Sequence, residues 1–132
     1  MTQRNIDTMD IIVNKIAEGE KFSKVLESVY SKRNVCLPYN EDDFNISIMS
    51  LGMTSRDKNA LLRANIITLS EVIDFCNNNK ITEVSNCGKT SGIEIFETIL
   101  DYYWKHLDDS KRTAFLIDIV ERNSDNIRAE IA

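Results

Sequence analysis

Apolar residues spaced three and four positions apart are the feature that most constrains the fold of this 132-residue protein. This spacing predicts a first helix over residues 6–17, ended by Gly19, and a second helix that begins at Phe22. Together they predict a helical hairpin whose apolar faces pack on each other or on the rest of the protein. Pro38 then favours an extended segment, because it lacks a backbone donor. The apolar positions of the first helix are Ile6, Met9, Val13 and Ile16.

Helix start and stop signals divide the middle of the sequence into short helices. Thr54 is a capping residue with an acid, Asp57, three positions later. Asn65 suits the left-handed position at which that helix ends. Thr68 and Glu71 have the spacing of a capping box, which predicts the start of a further helix.

Residues 85–92 form the most distinctive local sequence, SNCGKTSG, and lead into a long helix. Ser91 and Glu94 have capping-box spacing, so we expect that helix to begin at Ser91. Three aromatic residues follow one another near the end of this helix, namely Tyr102, Tyr103 and Trp104. They could be mistaken for a platform that stacks on nucleic-acid bases, but their helical spacing favours packing inside the protein.

A last helix is expected after the cap residue Asp108, with residues 124–132 as its frayed continuation. No strand-type alternation of useful length is present, and four glycines and one proline disfavour sandwiches and barrels. The sequence therefore predicts an all-α protein. We divide it into an N-terminal hairpin and linker (1–44), a compact multi-helix module (45–106) and a C-terminal helix with its tail (107–132).

Charge limits the kind of nucleic-acid contact that this protein can make. Sixteen Lys and Arg residues against twenty-one Asp and Glu residues give a formal charge of −5 and a pI near 4.9. An extended polycationic grip is excluded, so any contact with nucleic acid is local and modest in strength.

Cysteine and histidine usage indicates neither a metal site nor a catalytic site. The three cysteines, Cys36, Cys76 and Cys87, have no paired spacing, and His106 is the only histidine. No constellation of residues suggests an enzyme, and we expect no cofactor. The first ten residues lack an apolar leader and no stretch is long enough to span a membrane, so we expect a cytoplasmic protein.

A short glycine-containing turn before a helix can bind an anion such as phosphate. Backbone N–H groups at a helix start lack partners and lie at the positive end of the helix dipole. Gly88 has no Cβ to obstruct a phosphate, and Lys89 adds a mobile positive charge. Such a turn usually serves only to connect two elements, so it becomes informative only together with the earlier helix start at residues 54–59.

Three blocks, at residues 51–61, 66–73 and 84–95, resemble the C-terminal domain of the bacterial RNA polymerase alpha subunit in sequence and in spacing. The resemblance extends over about residues 46–100. It implies a compact helical fold with a helix-hairpin-helix core. It also implies contact with A·T-rich DNA through the minor groove and an ability to receive transcription factors.

The resemblance assigns two residues to the minor groove. Arg56 is similar to the family's groove-entering arginine, and Asn59, one turn later, is similar to its polar companion. The chemistry agrees, because A·T pairs present only acceptors in the minor groove and an arginine supplies donors. Residues three positions apart on a helix share one face, so Arg56 and Asn59 point the same way.

The resemblance also assigns residues to the phosphate backbone. Asn86, Gly88 and Ser91 fall on the family's hairpin residues, and Glu94 matches an acidic position on the same rim. This sequence departs from the family at Thr90, where a basic residue is usual. The full predicted DNA-binding set is Arg56, Asn59, Asn86, Gly88, Lys89, Ser91 and Glu94.

Two functions follow from these observations. The first is a transcription-associated protein that binds A·T-rich DNA weakly. The alternative is an interaction adaptor for polymerase or a regulator, which keeps the fold without binding DNA; Thr90, the net charge and the extra terminal helices favour it. The sequence leaves open whether those terminal helices pack onto the module or pair with a second copy as a homodimer.

Overall fold

The computed structural model describes residues 1–31, 35–38, 46–78 and 89–131. Over these ranges the protein is all-helical, as predicted, and contains isolated antiparallel bridges but no strand. Short 3₁₀ turns cover Ile48–Ser50 and Ser124–Asn126. The α-helices are α1 (Gln3–Ala17), α2 (Phe22–Val29), α3 (Ser55–Arg63), α4 (Leu69–Asn77), α5 (Lys89–His106) and α6 (Asp109–Arg122).

The protein divides into two compact units. The first unit combines Met1–Pro38 with Tyr103–Ala132, and the second unit is Tyr39–Tyr102. In the first unit α1 packs on α2 and on α6, so the terminal helices of the sequence pack with one another. The division into segments 1–44, 45–106 and 107–132 stays a prediction.

Aromatic side chains contribute much of the first unit's interior. The ring of Phe22 stacks on that of Trp104 with centroids 4.6 Å apart, and Tyr103 stacks on Phe115 at 5.6 Å. The guanidinium of Arg112 lies 4.5 Å from the Trp104 centroid and donates to the Trp104 carbonyl. Tyr103 and Trp104, at the end of α5, therefore act in packing, as the helical spacing predicted.

The buried face of α1 differs from the predicted one. The side chains of Ile6 and Val13 are 39% and 43% exposed, whereas Asn5, Thr8 and Ile12 are buried. Each polar member of this face has a hydrogen bond, because Asn5 Nδ2 donates to Ser124 Oγ and the Thr8 hydroxyl donates to the Arg4 carbonyl, although Asn5 Oδ1 has no partner among the described residues. Buried polar groups with partners are tolerated, so apolar spacing alone misplaced the buried face by part of a turn.

The tail after α6 is ordered by tertiary contacts, so the prediction of a frayed helical continuation at 124–132 was wrong. The helix ends at Arg122, and the backbone then forms a 3₁₀ turn and a bridge between Ile127 and Tyr30. The Arg128 amide donates to the Val29 carbonyl at 2.9 Å. Ile127 is buried, which explains why this segment leaves the helical path and lies along the end of α2.

In the second unit, the predicted caps form as expected. The Thr54 hydroxyl accepts from the Asp57 amide at the start of α3, and Thr68 and Glu71 form a complete capping box at the start of α4. Asn65 has a φ of 62°, the left-handed conformation predicted for it. The described core of this unit comprises Ile48, Leu51, Met53, Ala60, Leu61, Ile66, Leu69, Val72, Ile73, Cys76, Ile95, Phe96, Ile99 and Leu100.

The long helix begins earlier than its sequence signal indicated. Its backbone is already helical at Lys89, so Ser91 lies inside the first turn of α5 and not at the cap position. The residues that would form the predicted hairpin, 79–88, lie outside the described residues. The helix-hairpin-helix core therefore stays a prediction.

Candidate nucleic-acid interface

The start of α3 presents polar side chains to solvent. Thr54 fixes this start, since its hydroxyl accepts the Asp57 amide at 3.2 Å. Arg56 follows in the first turn with 63% of its side chain exposed, and Asn59 is exposed one turn later. The Arg56 donors and the Asn59 amide are thus both available at the surface of α3.

An ion pair connects the beginning of α3 to the first turns of α5. Arg56 Nη2 lies 3.4 Å from Glu94 Oε2, and the Glu94 side chain is 44% exposed. Because Arg56 and Glu94 are 38 positions apart in the sequence, tertiary folding alone brings them together. An exposed pair of this kind contributes only about 0–1 kcal/mol, so a competing anion can displace Glu94 from Arg56 at small cost.

A buried carboxyl group lies behind this pair. Asp57 is 1% exposed, and its Oδ1 has no hydrogen-bond partner among the described residues. Burial, and next the adjacent Glu94 carboxylate, raise the pKa of Asp57 above its ordinary value, while Thr54 and Arg56 act in the opposite direction. The surface at Arg56 therefore carries one cation over two interacting carboxyl groups.

Sequence reasoning missed the position of Asp57. An acid three residues after a helix cap is typical of a solvated first turn, and the pattern carried no sign that this side chain is buried. The only local signal is that Asp57 lies one position from Arg56 and therefore on a different side of the helix, together with the apolar Ala60 and Leu61.

The structure describes only part of the remaining predicted site. Asn86 and Gly88 lie outside the described residues, so the predicted phosphate turn is not placed. Lys89 and Ser91 belong to the first turn of α5 by their backbone, and nothing is described of their side chains. Of the predicted set, the structure brings Arg56 and Glu94 together and leaves Asn59 exposed on the helix of Arg56.

The second unit also exposes large apolar side chains at another place. Met49, Leu62 and Ile67 are exposed by 58%, 43% and 55%. Met49 and Ile67 belong to neighbouring backbone segments, since the Ile48 amide donates to the Ile67 carbonyl at 2.9 Å. The spacing of apolar residues did not identify them as surface residues.

The described residues offer little metal or thiol chemistry. Within the described ranges, no group of three or more His, Cys, Asp or Glu side chains has an arrangement that could hold a metal ion. Cys76 is buried, Cys36 is partly buried and His106 is exposed. None of the helices in these ranges combines the length and the apolar character needed to cross a membrane.

Comparison with known proteins supports the resemblance seen in the sequence. The family model for the C-terminal domain of the bacterial RNA polymerase alpha subunit matches residues 38–101. Searches of curated proteins and of solved structures found no match to this protein. The matched range includes α3, α4 and the part of α5 that carries Glu94. Residues 38–101 are therefore an alpha C-terminal-domain-like segment.

Proposed function

We propose that this protein is a transcription-associated DNA-binding protein that makes weak contacts with A·T-rich DNA through its second unit. The match of residues 38–101 to the C-terminal domain of the polymerase alpha subunit carries the proposal. In this function the protein performs no catalysis of its own and works in the cytoplasm, where the DNA is. It acts together with polymerase or a regulator, because its own contacts with DNA are few.

Arg56 and Asn59 are the proposed minor-groove residues. The minor groove of A·T pairs presents acceptors only, and a narrow groove concentrates negative potential, which together favour a guanidinium. The exposure of both side chains on α3 supports this role. Arg56 would exchange its contact with Glu94 for one with the groove, and the small contribution of an exposed ion pair makes that exchange feasible.

The phosphate contacts are proposed for residues near the start of α5. Unpaired N–H groups at a helix start and the positive end of its dipole attract one phosphate. Residues of the family's hairpin occupy these positions, and Thr90 lacks the charge that is usual there. The proposed set is Asn86, Gly88, Lys89 and Ser91, with Glu94 on the rim.

Few phosphate contacts imply weak, salt-sensitive binding. With two or three contacts, log K against log salt has a slope of about −2 to −3, and the dissociation constant lies in the nonspecific range of about 10⁻⁴ to 10⁻⁶ M. The balance of five basic and five acidic residues between positions 46 and 94 agrees with weak binding.

A titration of fluorescent duplexes tests the proposal. We expect the 132-residue protein to bind an A·T-rich duplex at low salt more tightly than a G·C-rich one. Arg56→Ala should weaken A·T binding by about 5- to 150-fold, since a specific base contact is worth about 1–3 kcal/mol. Arg63→Ala, at the other end of α3 and also exposed, makes the same change of charge and is the matched control. Equal binding by the Arg56 and Arg63 variants, or no preference for A·T pairs, would contradict the minor-groove role.

An interaction adaptor is the second candidate function. The exposed apolar side chains of Met49, Leu62 and Ile67 favour it, because such residues are suited to a protein contact and not to DNA. In this case the protein should co-purify with bacterial RNA polymerase in the presence of nuclease and shift no duplex. Loss of that association with Ile67→Ser, but not with Arg56→Ala, would separate this function from the first.

A further inference from the structure

Three charged groups meet where α3 begins and α5 has made its first turns. Arg56 and Glu94 form the exposed ion pair, and Asp57 lies buried beneath them with its Oδ1 lacking a partner in the described part of the protein. The charges that act on Asp57 from described residues are Glu94 on α5 and Arg56 on α3, with Thr54 contributing a hydrogen bond. The cluster therefore contains one cation and two carboxyl groups at the surface that the proposed function directs toward DNA.

Two ionised carboxylates that lie next to each other cannot form a hydrogen bond with one another. An ionised carboxylate only accepts hydrogen bonds, so Asp57 and Glu94 bond to one another only if one of them carries a proton. A buried acceptor without a donor is costly, and two adjacent negative charges repel. A single proton held between Asp57 and Glu94 removes both problems and leaves one negative charge for Arg56.

We propose that Asp57 and Glu94 share one proton at acidic pH, and that contact of this surface with DNA makes the pair take up that proton from solvent at higher pH. The inference rests on the proposed function for its DNA step, whereas the sharing of a proton at acidic pH is a property of the free protein. The raised pKa of Asp57 supports it, because burial and Glu94 both favour the protonated acid.

The direction of the coupling follows from electrostatics. DNA phosphates bring negative charge to the cluster, and negative charge nearby favours the protonated form of a carboxyl group. The complex therefore holds more protons than the free protein, and affinity rises as pH falls. One proton taken up allows at most about a tenfold change in affinity per pH unit.

The experiment measures A·T-rich duplex affinity at constant low salt from about pH 5 to about pH 7.5, which spans the range above the ordinary Asp value. The native protein is compared with the Glu94→Gln, Asp57→Asn and Asp74→Asn variants. Asp74 is an exposed acid on α4, so its variant makes the same change of charge outside the cluster and is the control. Carboxyl NMR of the free protein follows the Asp57 titration independently of DNA.

We expect the native protein and the Asp74 variant to gain affinity together as pH falls. Glu94→Gln should bind more tightly near neutral pH, and both cluster variants should show a smaller slope against pH. Titration elsewhere in the protein is common to all four proteins and cancels in the comparison. The NMR signal of Asp57 should titrate above its ordinary value and return toward that value in Glu94→Gln.

Each contrary result identifies what has failed. Equal pH slopes in all four proteins, with A·T-selective binding intact, overturn the proton coupling and leave the proposed function standing. Absence of duplex binding at every pH refutes the coupling and the proposed function together. An Asp57 signal that titrates at its ordinary value overturns the shared proton whatever the binding data show.

Discussion

Replacing Asp57 with asparagine should stabilise the protein at neutral pH, although it removes an acid from the first turn of a helix. The native side chain is buried, with one oxygen unpartnered among described residues and with Glu94 beside it. An unsatisfied buried group costs about 1–3 kcal/mol, and the lost interaction with the helix dipole offsets about 0.3–1 kcal/mol. The expected net gain is about 1 kcal/mol, because the asparagine amide also supplies Glu94 with a donor.

The pH dependence of this gain distinguishes it from a general packing effect. A carboxyl group with a pKa raised by folding binds its proton more tightly in the native state, so it destabilises the native state increasingly as pH rises through the raised pKa. The advantage of Asp57→Asn should therefore be full at neutral pH and vanish as pH falls below about 4, the ordinary Asp value. Urea unfolding of both proteins across this range measures it. A loss of stability at neutral pH, or a difference that is constant with pH, would refute the reasoning.

Two further predictions concern the first unit, and urea unfolding tests both. Asn123→Ala should lower the free energy of unfolding by about 1–3 kcal/mol, because the Asn123 side chain accepts from the Cys36 backbone N–H and donates to the Cys36 carbonyl, and no other described side chain bonds these two groups. Hydrogen exchange of the Cys36 amide should become faster in this variant. Unchanged exchange would contradict the prediction. Tyr30→Phe should leave the free energy of unfolding unchanged or raise it by up to about 1 kcal/mol, because the buried Tyr30 hydroxyl has no partner in the described structure. Burial also raises the pKa of Tyr30, so its ultraviolet titration should occur only at more alkaline pH than that of an ordinary tyrosine. A clear loss of stability in Tyr30→Phe would show that the hydroxyl is bonded.

Local chemistry made several parts of the fold predictable. Thr54 and Thr68 cap their helices because a hydroxyl three positions before a backbone N–H satisfies that donor without help from the rest of the protein. Asn65 adopts a positive φ for an equally local reason, since its side chain tolerates the left-handed conformation. Each of these features depends on residues within one turn of each other.

Predictions failed where distant partners decide the outcome. The tail at 124–132 continues the helical pattern in sequence, but bonds to the end of α2 at Val29 and Tyr30 draw it out of the helix. The buried face of α1 was misplaced for the same reason, because Asn5 finds Ser124 as a partner 119 positions away. Spacing rules treat a polar residue as exposed, and only the folded protein shows that a partner is present.

The family resemblance named the residues of the candidate interface, which stay a prediction, but it did not indicate their electrostatics. The positions of Arg56 and Glu94 follow from the family resemblance, and the family comparison supports the segment to which they belong. Their 3.4 Å contact, and the buried carboxyl of Asp57 beneath it, could not be predicted from helix periodicity. The interaction of two carboxyl groups depends on distance and burial, and neither quantity is present in a linear pattern.

The amino-acid sequence by itself determined the helical class, the helix caps and the alpha C-terminal-domain-like segment, because these depend on short-range spacing and on residue type. Tertiary structure decided that the two ends of the protein pack together in the first unit, that Asn5 rather than Ile6 is buried, and that Arg56 lies against an acid 38 positions later. The physical reason is that burial and charge interaction depend on which surfaces meet. That is decided by the packing of the whole unit and not by any one helix.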